Sequence, residues 1–363
     1  MINDYIFLAS QEGGGGAENV IKTFAIGFSE KGLSTLLIHL RSNLQIRKQI
    51  GSLNVISLGK KKARNSIFAL GKIISKNKES KYVCSGPEVS IVLYLSSIIF
   101  FRKIKFFIRP VLEFDKEVKD SGFLFNFFYK KALLNSSGLI FQSEKIKKSF
   151  SNFIKNPKKP NFICSNPIKF ELIKKVQQEK NLKPSIKKKK VLFLGRFEPQ
   201  KNPMKCIEIF KEIHNFDKSY SLRMMGDGSL ISTIKEEISK FDPELRNSIK
   251  IFSHNVEIFS ELFSAELLLI SSEYEGLSNA MLEKLFLKGN VLISNKIDLP
   301  DNVSSNSNIF VYDTEWNNSK IAKYYLDSVN NLKPQKPLDF DKQIQDFHRN
   351  PINFLHSKLN DYF

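Results

Sequence analysis

The 363-residue sequence predicts an α/β protein with two tandem doubly wound, Rossmann-like domains that face a cleft. Its length exceeds what one ordinary core needs and suits two domains of roughly 150 residues each. Short apolar runs alternate with helix-like stretches twice along the chain, which is typical of parallel sheets with helices on both faces. A polar, lysine-rich stretch separates the two alternating regions.

The first predicted domain covers residues 1–167, where apolar runs are interleaved with helical patterns such as 17–30 and 88–101. Runs of this length and composition favour buried strands. The predicted strands are 5–10, 35–40, 54–58, 82–86, 105–109 and 138–143.

Residues 168–190 form a predicted linker, because they are polar and end in a run of lysines. The second predicted domain covers residues 191–338, and residues 339–363 form a helical, amphipathic tail interrupted by Pro351, which could pack back on the first domain. The carboxyl ends of both sheets are expected to face one crevice. The predicted strands are 191–195, 221–225, 250–253, 267–271 and 291–294, and the predicted helices 204–216, 230–241 and 278–288.

Charge is unevenly distributed along the chain, whose formal net charge is +19. Residues 1–160 hold 27 Lys and Arg against 11 Asp and Glu, whereas residues 191–363 hold 20 against 24. Such asymmetry indicates that the first half faces an anionic partner.

Cysteine spacing and the absence of targeting patterns favour a cytoplasmic protein. The three cysteines fit neither a disulfide framework nor a zinc site, which favours a reducing compartment. The first ten residues do not form a secretory signal. The longest apolar stretch, at 89–101, is too short to cross a bilayer, which takes about 20 residues.

Four glycines, Gly13 to Gly16, follow the first predicted strand and precede a helix. Glycine lets the backbone approach a ligand, and a helix N-terminus favours an anion. The G-x-G-x-x-G spacing is absent, and Arg41 stands near where a nicotinamide-binding fold needs an acidic residue. The alternative is a flexible turn that binds nothing.

Arg196 and Lys201 follow the strand predicted at 191–195, in the segment GRFEPQKNP. A guanidinium can bind two phosphate oxygens, and an ammonium is a compact point charge. Paired on one diphosphate, they could stabilise the charge that develops as a nucleoside diphosphate leaves. The alternative is two solvated cations on a loop.

Glu275 and Glu283 lie in the segment SSEYEGLSNAMLE after the strand predicted at 267–271. Gly276 permits a tight turn, and Ser278 or Asn279 can cap the next helix, whose dipole then suits phosphate or sugar hydroxyls. Asn279 and Glu283 share a helix face, and Glu275 lies just before that helix. The two carboxylates can thus reach one bound ligand and accept hydrogen bonds from the hydroxyl pairs of a ribose or a hexose. Two glutamates at this spacing are also common by chance.

Gly226 belongs to the segment MGDGS, which closes another predicted strand. Its glycines permit backbone approach to a nucleotide. An ordinary strand–helix turn explains them equally well.

In this order and spacing, the segments resemble the retaining GT-B glycosyltransferases of family 4. The resemblance covers nearly the whole chain and is strongest over 191–295, through GRFEPQKNP, MMGDG and SSEYEGLSNAMLEKLFLKGNVLIS. GGGGAENV, GLIFQSEKIKKSF and ICSNPI also resemble segments of the family's N-terminal domain and its exit to the linker.

The resemblance implies transfer of a hexose-type sugar from a nucleotide-diphosphate sugar to a glycan or polyprenyl-diphosphate-linked acceptor. Retention of configuration, metal independence, no cofactor beyond the donor, and a place in bacterial surface polysaccharide or lipopolysaccharide assembly are implied with it. Arg196 and Lys201 would hold the diphosphate, Glu275 the transferred sugar and Glu283 the ribose. The other implied donor contacts are Gly15, Gly16, Gly226, Gly276, Leu277, Ser278 and Asn279. The donor nucleotide is left open among UDP, GDP and ADP, with a UDP-sugar considered first.

The sequence departs from the family pattern at three places. The histidine that many relatives carry near the reacting carbon has no counterpart at 106–110. Lys284-Leu285 replaces small residues after the second glutamate, and Ile297-Asp298-Leu299 replaces a glycine pair. The donor sugar and the proton relay are therefore left open.

The basic half interleaves cations with aromatic residues at 60–64, 100–103, 123–131 and 155–159. Each Lys or Arg near an anionic leaflet contributes about 1 kcal/mol, and inserted phenylalanines add to that. We hypothesise that the first domain rests on the anionic inner face of the plasma membrane as a peripheral protein. The alternative is that residues 123–128 are core and the lysines only solvate the surface.

The sequence leaves other classes of function open. The basic composition would suit a nucleic-acid-binding protein, but no helix-turn-helix, zinc or RNP pattern supports it, so nucleic acid is not an expected partner. A nucleotide-sugar epimerase, a phosphorylase or a catalytically inactive sugar-nucleotide-binding partner could use the same fold.

Overall fold

The computed structural model describes residues 3–12, 15–119, 121–153, 159–169, 189–253, 258–297, 299, 301–332, 342 and 345–362. The chain divides into two compact units, one of Met1–Phe170 with Gln345–Phe363 and one of Glu171–Ile344. Each unit contains a largely parallel sheet covered by helices, so the predicted pair of Rossmann-like domains is confirmed. Most of the linker predicted at 168–190 lies outside the described residues.

The sheet of the first unit has the order β3-β4-β2-β1-β5-β6-β7-β8, and β3 is antiparallel to β4 while the other pairs are parallel. All six predicted strands are present. The short edge strand β8 and the exposed strand β3 were not predicted. The strands are β1 Tyr5–Gln11, β2 Thr35–Arg41, β3 Gln45–Ile50, β4 Leu53–Lys60, β5 Lys81–Ser85, β6 Lys105–Arg109, β7 Gly138–Phe141 and β8 Asn161–Ile163.

Helices cover both faces of this sheet, because side chains along each buried strand alternate between the faces. Ile6 and Leu8 belong to the core under α2, α3 and α5, whereas Tyr5 and Phe7 belong to the core under α1. No described helix is long and apolar enough to span a membrane. The helices are α1 Gly16–Glu30, α2 Ile67–Lys76, α3 Pro87–Ile99, α4 Phe114–Val118, α5 Phe123–Asn135 and α6 Glu144–Ser149.

The second unit has a parallel sheet of order β11-β10-β9-β12-β13-β14. All five predicted strands and all three predicted helices are present, and β14 was not predicted. Because β9 and β12 are neighbours, the loops that follow them meet at one edge of the sheet. The strands are β9 Lys189–Leu194, β10 Tyr220–Met225, β11 Ile249–Phe252, β12 Leu267–Ile270, β13 Asn290–Ser294 and β14 Ile309–Tyr312. The helices are α7 Pro203–Phe216, α8 Ile231–Ser239, α9 Pro243–Ser248, α10 Ile258–Ser264, α11 Asn279–Phe286, α12 Asp301–Ser304 and α13 Asn318–Asn330.

The C-terminal residues belong to the first unit. A π-helix at Gln345–Arg349 passes into α14 (Asn350–Tyr362) beside Pro351. Proline has no N–H to offer the carbonyl four residues earlier, and the carbonyl of Phe347 instead accepts a hydrogen bond of 2.9 Å from the Ile168 N–H. α14 packs against α1, and its Leu355 is fully buried.

Candidate active site

The loop after β9 is shaped by a short 3₁₀ turn, Pro199–Lys201, and by Asn202 in a left-handed conformation with φ of 45°. Asparagine tolerates this conformation better than most residues. The Oδ1 of Asn202 accepts a hydrogen bond of 3.2 Å from the Lys205 N–H and so caps α7. This turn directs Lys201 towards the loop after β12.

Lys201 and Glu275 are in direct contact although 74 residues separate them. The Nζ of Lys201 donates to Oε1 of Glu275 at 2.6 Å, and the hydroxyl of Ser272 donates to the same oxygen. The Lys201 side chain is 22% exposed and the Glu275 side chain 7%, so water screens this ion pair weakly. Two of the three predicted catalytic residues therefore lie together.

Three further hydrogen-bonding groups join the loops after β9 and β12. The Ser271 hydroxyl donates to the carbonyls of Lys201 and Asn202, at 3.1 and 2.8 Å. The Asn202 side-chain amide donates to Glu273 at 2.7 Å, and the Glu273 N–H donates to the Gln200 carbonyl at 2.9 Å. These hydrogen bonds fix the two loops relative to each other and so keep Lys201 and Glu275 in contact.

Arg196, the third predicted catalytic residue, lies on the same loop as Lys201 and is exposed. Its Nη2 donates to Oε1 of Gln200 at 3.2 Å, and the Gln200 amide donates to the Tyr274 carbonyl at 3.1 Å. A guanidinium has five N–H donors, so Arg196 keeps donors for an incoming anion.

Glu275 is followed by a turn that leads into α11. Ser278 is the N-cap of this helix, and its hydroxyl accepts a hydrogen bond of 3.4 Å from the Met281 N–H. Leu277 and Ser278 are buried, and Glu283 is 9% exposed within α11. The first turn of α11 therefore starts directly beside Glu275.

Residues 174–345 match the family described as Glycosyl transferases group 1. This range contains the whole site built around Lys201 and Glu275. The second unit matches this family over nearly its whole length.

Curated relatives are similar over part of the chain. An uncharacterised glycosyltransferase of Methanocaldococcus jannaschii is 27% identical over 167 residues, or 45% of this chain and 40% of the relative. The amylovoran biosynthesis glycosyltransferase AmsD of Erwinia amylovora is 31% identical over 97 residues, or 27% of this chain and 26% of the relative. The chain thus spans less than half the length of these relatives.

Solved structures are similar over nearly the whole chain. Anabaena HepE in complex with UDP is 14% identical, with a TM-score of 0.69 over 99% of this chain and 100% of that one. Sucrose-phosphate synthase of Thermosynechococcus elongatus is 13% identical, with a TM-score of 0.74 over 98% of each chain. Identities this low establish the fold and no more, so the predicted GT-B fold is confirmed.

Gly226 packs two loops of the second unit against each other. A Cβ at this position would lie 1.9 Å from the carbonyl oxygen of Gly195. The Phe197 N–H donates to the Asp227 carbonyl at 2.9 Å, which holds the same two loops together. Gly226 therefore has a packing role that the sequence did not predict, and its predicted donor contact stays a prediction.

Gly226→Ala is expected to lower the thermal midpoint by about 4–10 °C, because the added methyl group forces apart two hydrogen-bonded loops. Gly122→Ala is the matched control, since a Cβ there meets no atom within 4 Å. Differential scanning calorimetry of both variants measures the effect. An unchanged midpoint for Gly226→Ala would show that the loops separate freely.

Lys284, a departure from the family pattern, has a structural role in this domain. Its Nζ donates to the carbonyls of Leu262, at 2.8 Å, and Ala265, and so caps the end of α10. The side chain is almost fully buried, and burial lowers its pKa to about 7. The long side chain of Lys284, which stands where the family pattern has a small residue, thus supplies hydrogen-bond donors to two carbonyls at the end of α10.

A cavity of about 200 Å³ lies beside Lys201, and none of its lining residues was among the predicted site residues. Lys296 pairs with Glu273 at 2.6 Å, and this hydrogen bond lowers the pKa of Glu273. Five of the lining residues lie inside the motifs of the sequence analysis, namely Asn202, Ser271, Ser272, Glu273 and Ser294. Thr314 instead follows β14, which was not predicted. The lining residues are Asn202, Lys205, Ser271, Ser272, Glu273, Ser294, Lys296, Tyr312 and Thr314.

The predicted glycine loop belongs to the first unit. Gly15 precedes α1 and Gly16 is the first residue of that helix, and both are exposed. Gly13 and Gly14 lie outside the described residues. Donor contact by Gly15 and Gly16 stays a prediction.

Proposed function

We propose that this protein transfers a sugar from a nucleotide-diphosphate sugar to an acceptor hydroxyl, with the donor bound at Lys201 and Glu275. The observation that carries the proposal is their contact of 2.6 Å at the carboxyl edge of a parallel sheet, inside the unit that matches the glycosyl transferases group 1 family. The structural relative HepE supports it, since its structures contain UDP, UDP with glucose, and UDP-glucose.

Arg196 and Lys201 are proposed to bind the donor diphosphate. When the bond between the anomeric carbon and the diphosphate breaks, negative charge accumulates on the departing oxygen, and two preorganised cations stabilise it most at that moment. These cations would supply the charge stabilisation that a divalent metal supplies elsewhere, so we propose a metal-independent reaction.

Glu275 is proposed to accept hydrogen bonds from hydroxyls of the transferred sugar, and Glu283 from the ribose. Lys201 and Ser272 hold one oxygen of Glu275, which fixes the plane of the carboxylate and leaves its second oxygen for the sugar. The amides at the start of α11 would add donors for phosphate oxygens.

We propose that the anomeric configuration is retained. The acceptor oxygen attacks the anomeric carbon on the side from which the diphosphate leaves. The new carbon–oxygen bond forms as the old one breaks, and the acceptor proton passes to the departing phosphate oxygen. No covalent bond to the protein is then needed.

The proposed acceptor is a glycan or a polyprenyl-diphosphate-linked sugar in bacterial surface polysaccharide or lipopolysaccharide assembly, reached at the inner face of the membrane. AmsD, described as an amylovoran biosynthesis glycosyltransferase, and WaaB, described as a lipopolysaccharide outer core galactosyltransferase, support this class. WaaB is 12% identical, with a TM-score of 0.69 over 99% of each chain.

Calorimetric titration with UDP, GDP, ADP and their glucose conjugates tests the donor site. We expect saturable binding of one nucleotide, with UDP the first candidate. The binding should persist in EDTA and weaken at least tenfold in Lys201→Ala. Proton NMR of the product then reads the anomeric configuration. Absence of binding by all three nucleotides would contradict the proposal, and binding followed only by epimerisation would assign a different reaction.

A further inference from the structure

The first unit carries an exposed apolar surface on its helices. α2, α3 and α5 pack side by side over one face of the sheet. Inner residues of α5 such as Tyr129 are buried, whereas Phe101 is 91% exposed and Phe123 82%. The hypothesis that 123–128 is all core is therefore wrong for part of that segment. We define the aromatic face as Phe68, Ile98, Phe101, Phe123, Leu124 and Phe127, all exposed.

Phe101 is held in a backbone conformation that suits a different residue. It follows α3 with φ of 51°, and its N–H donates to the Ile98 carbonyl at 2.9 Å. Helix ends in this left-handed conformation favour glycine or asparagine, and a bulky side chain is strained there. Because Phe101 is also almost fully exposed, neither the local backbone nor the core accounts for a phenylalanine. Such strain at an exposed aromatic residue points to a contact outside the chain.

Positive charge predominates on the helices that carry the aromatic face. α2 and α5 contain no acidic residue, and Glu88, in the first turn of α3, is the one acid of that helix. The Nζ of Lys131 lies 5.6 Å from the ring centre of Phe127, so cation and aromatic ring share one surface. The surrounding exposed cations include Arg64, Lys72, Arg102, Lys103, Lys130 and Lys131.

We propose that the aromatic face docks on an anionic phospholipid bilayer, with Phe101, Phe123 and Leu124 entering the headgroup region and the cations contacting lipid phosphates. Exposed aromatic residues beside lysine and arginine are the combination that binds such an interface. A second copy of the chain fits less well, because a two-fold contact through this face would bring like charges together. This inference rests on the proposed function, because docking on a membrane would bring the protein to a lipid-linked acceptor.

Co-sedimentation of the full chain with extruded vesicles tests the surface. Vesicles of phosphatidylcholine are compared with vesicles of phosphatidylcholine and phosphatidylglycerol at three to one. We expect at least tenfold tighter binding to the anionic vesicles. Arg102→Ala/Lys103→Ala should weaken that binding by roughly 25-fold, about fivefold per cation, and Phe123→Ser/Leu124→Ser by about tenfold.

Phe216→Ser is the matched control, because Phe216 is 53% exposed at the end of α7 in the other unit. It should bind vesicles like the unchanged protein. Equal binding to both kinds of vesicle, or an equal loss in Phe216→Ser, would overturn the proposal. The proposal would also be overturned if the protein were a dimer and Phe123→Ser/Leu124→Ser dissociated it without changing vesicle binding. The aromatic face would then bind a second copy of the chain.

Phe101→Asn separates docking from folding. Asparagine suits the left-handed conformation, so the thermal midpoint should stay or rise by up to about 3 °C while vesicle binding weakens. A lower midpoint with unchanged vesicle binding would assign Phe101 to the fold. Lys201→Ala should lose nucleotide binding but bind vesicles normally. The two measurements therefore test the proposed donor site and the proposed membrane surface separately.

Discussion

Lys201→Ala is expected to lower sugar transfer by about 10³-fold, because it removes a partly buried cation that we propose stabilises the charge of the leaving diphosphate. The loss should appear mainly in kcat, since the stabilised charge grows in the transition state. The variant also leaves the carboxylate of Glu275 nearly buried without its cation. Steady-state assays of nucleoside diphosphate release, with the donor found by calorimetry, measure the effect.

Two further variants sharpen this prediction. Lys240→Ala removes a lysine that pairs with Glu236 and Glu237 on the surface of the same unit, and it should leave transfer unchanged. Glu275→Gln keeps the shape of the side chain but not its charge, and we expect a loss of about 10²-fold. Full activity in Lys201→Ala would place the diphosphate elsewhere.

The contact between Lys201 and Glu275 can be predicted in part from the position of each residue after a parallel strand. Each residue comes shortly after an apolar run, and carboxyl ends of neighbouring parallel strands lie at one edge of the sheet. What the sequence could not provide was that β9 and β12 are neighbours, since strand order depends on packing across the whole unit. The hydroxyls of Ser271 and Ser272 were equally unpredictable, because their bonds depend on the exact separation of two loops.

The unpredicted strands are those whose sequences lack a buried pattern or are very short. β3 reads QIRKQI and is exposed along most of its length, so it pairs through its backbone and not through apolar side chains. β14 is an edge strand that leaves Val311 exposed, so it lacks the fully buried run that marks β12. The sequence marks Lys284 only as a departure from the family pattern, because a lysine that caps a helix end about 20 residues away in the chain leaves no local signal.

A substitution in the C-terminal helix α14 is expected to have a large effect on the stability of the first unit. Leu355 of α14 is fully buried in the core shared with α1 and β1, so Leu355→Ala should destabilise the first unit by about 2–5 kcal/mol. The Tyr5 hydroxyl also donates to Asn360 at 2.6 Å, which ties the helix to β1. Hydrogen exchange read by mass spectrometry should show faster exchange in β1 and α1.

Lys358→Ala is the control for Leu355→Ala, since Lys358 lies on the same helix in a partly exposed ion pair with Asp361. It should leave exchange in the first unit unchanged. Exchange in β9 and β12 should remain as in the unchanged protein with both variants, because those strands belong to the core of the second unit. Unaltered exchange of β1 in Leu355→Ala would mean that α14 covers the sheet without stabilising it. The predicted loss would instead show that the first unit needs residues from both ends of the chain to complete its core.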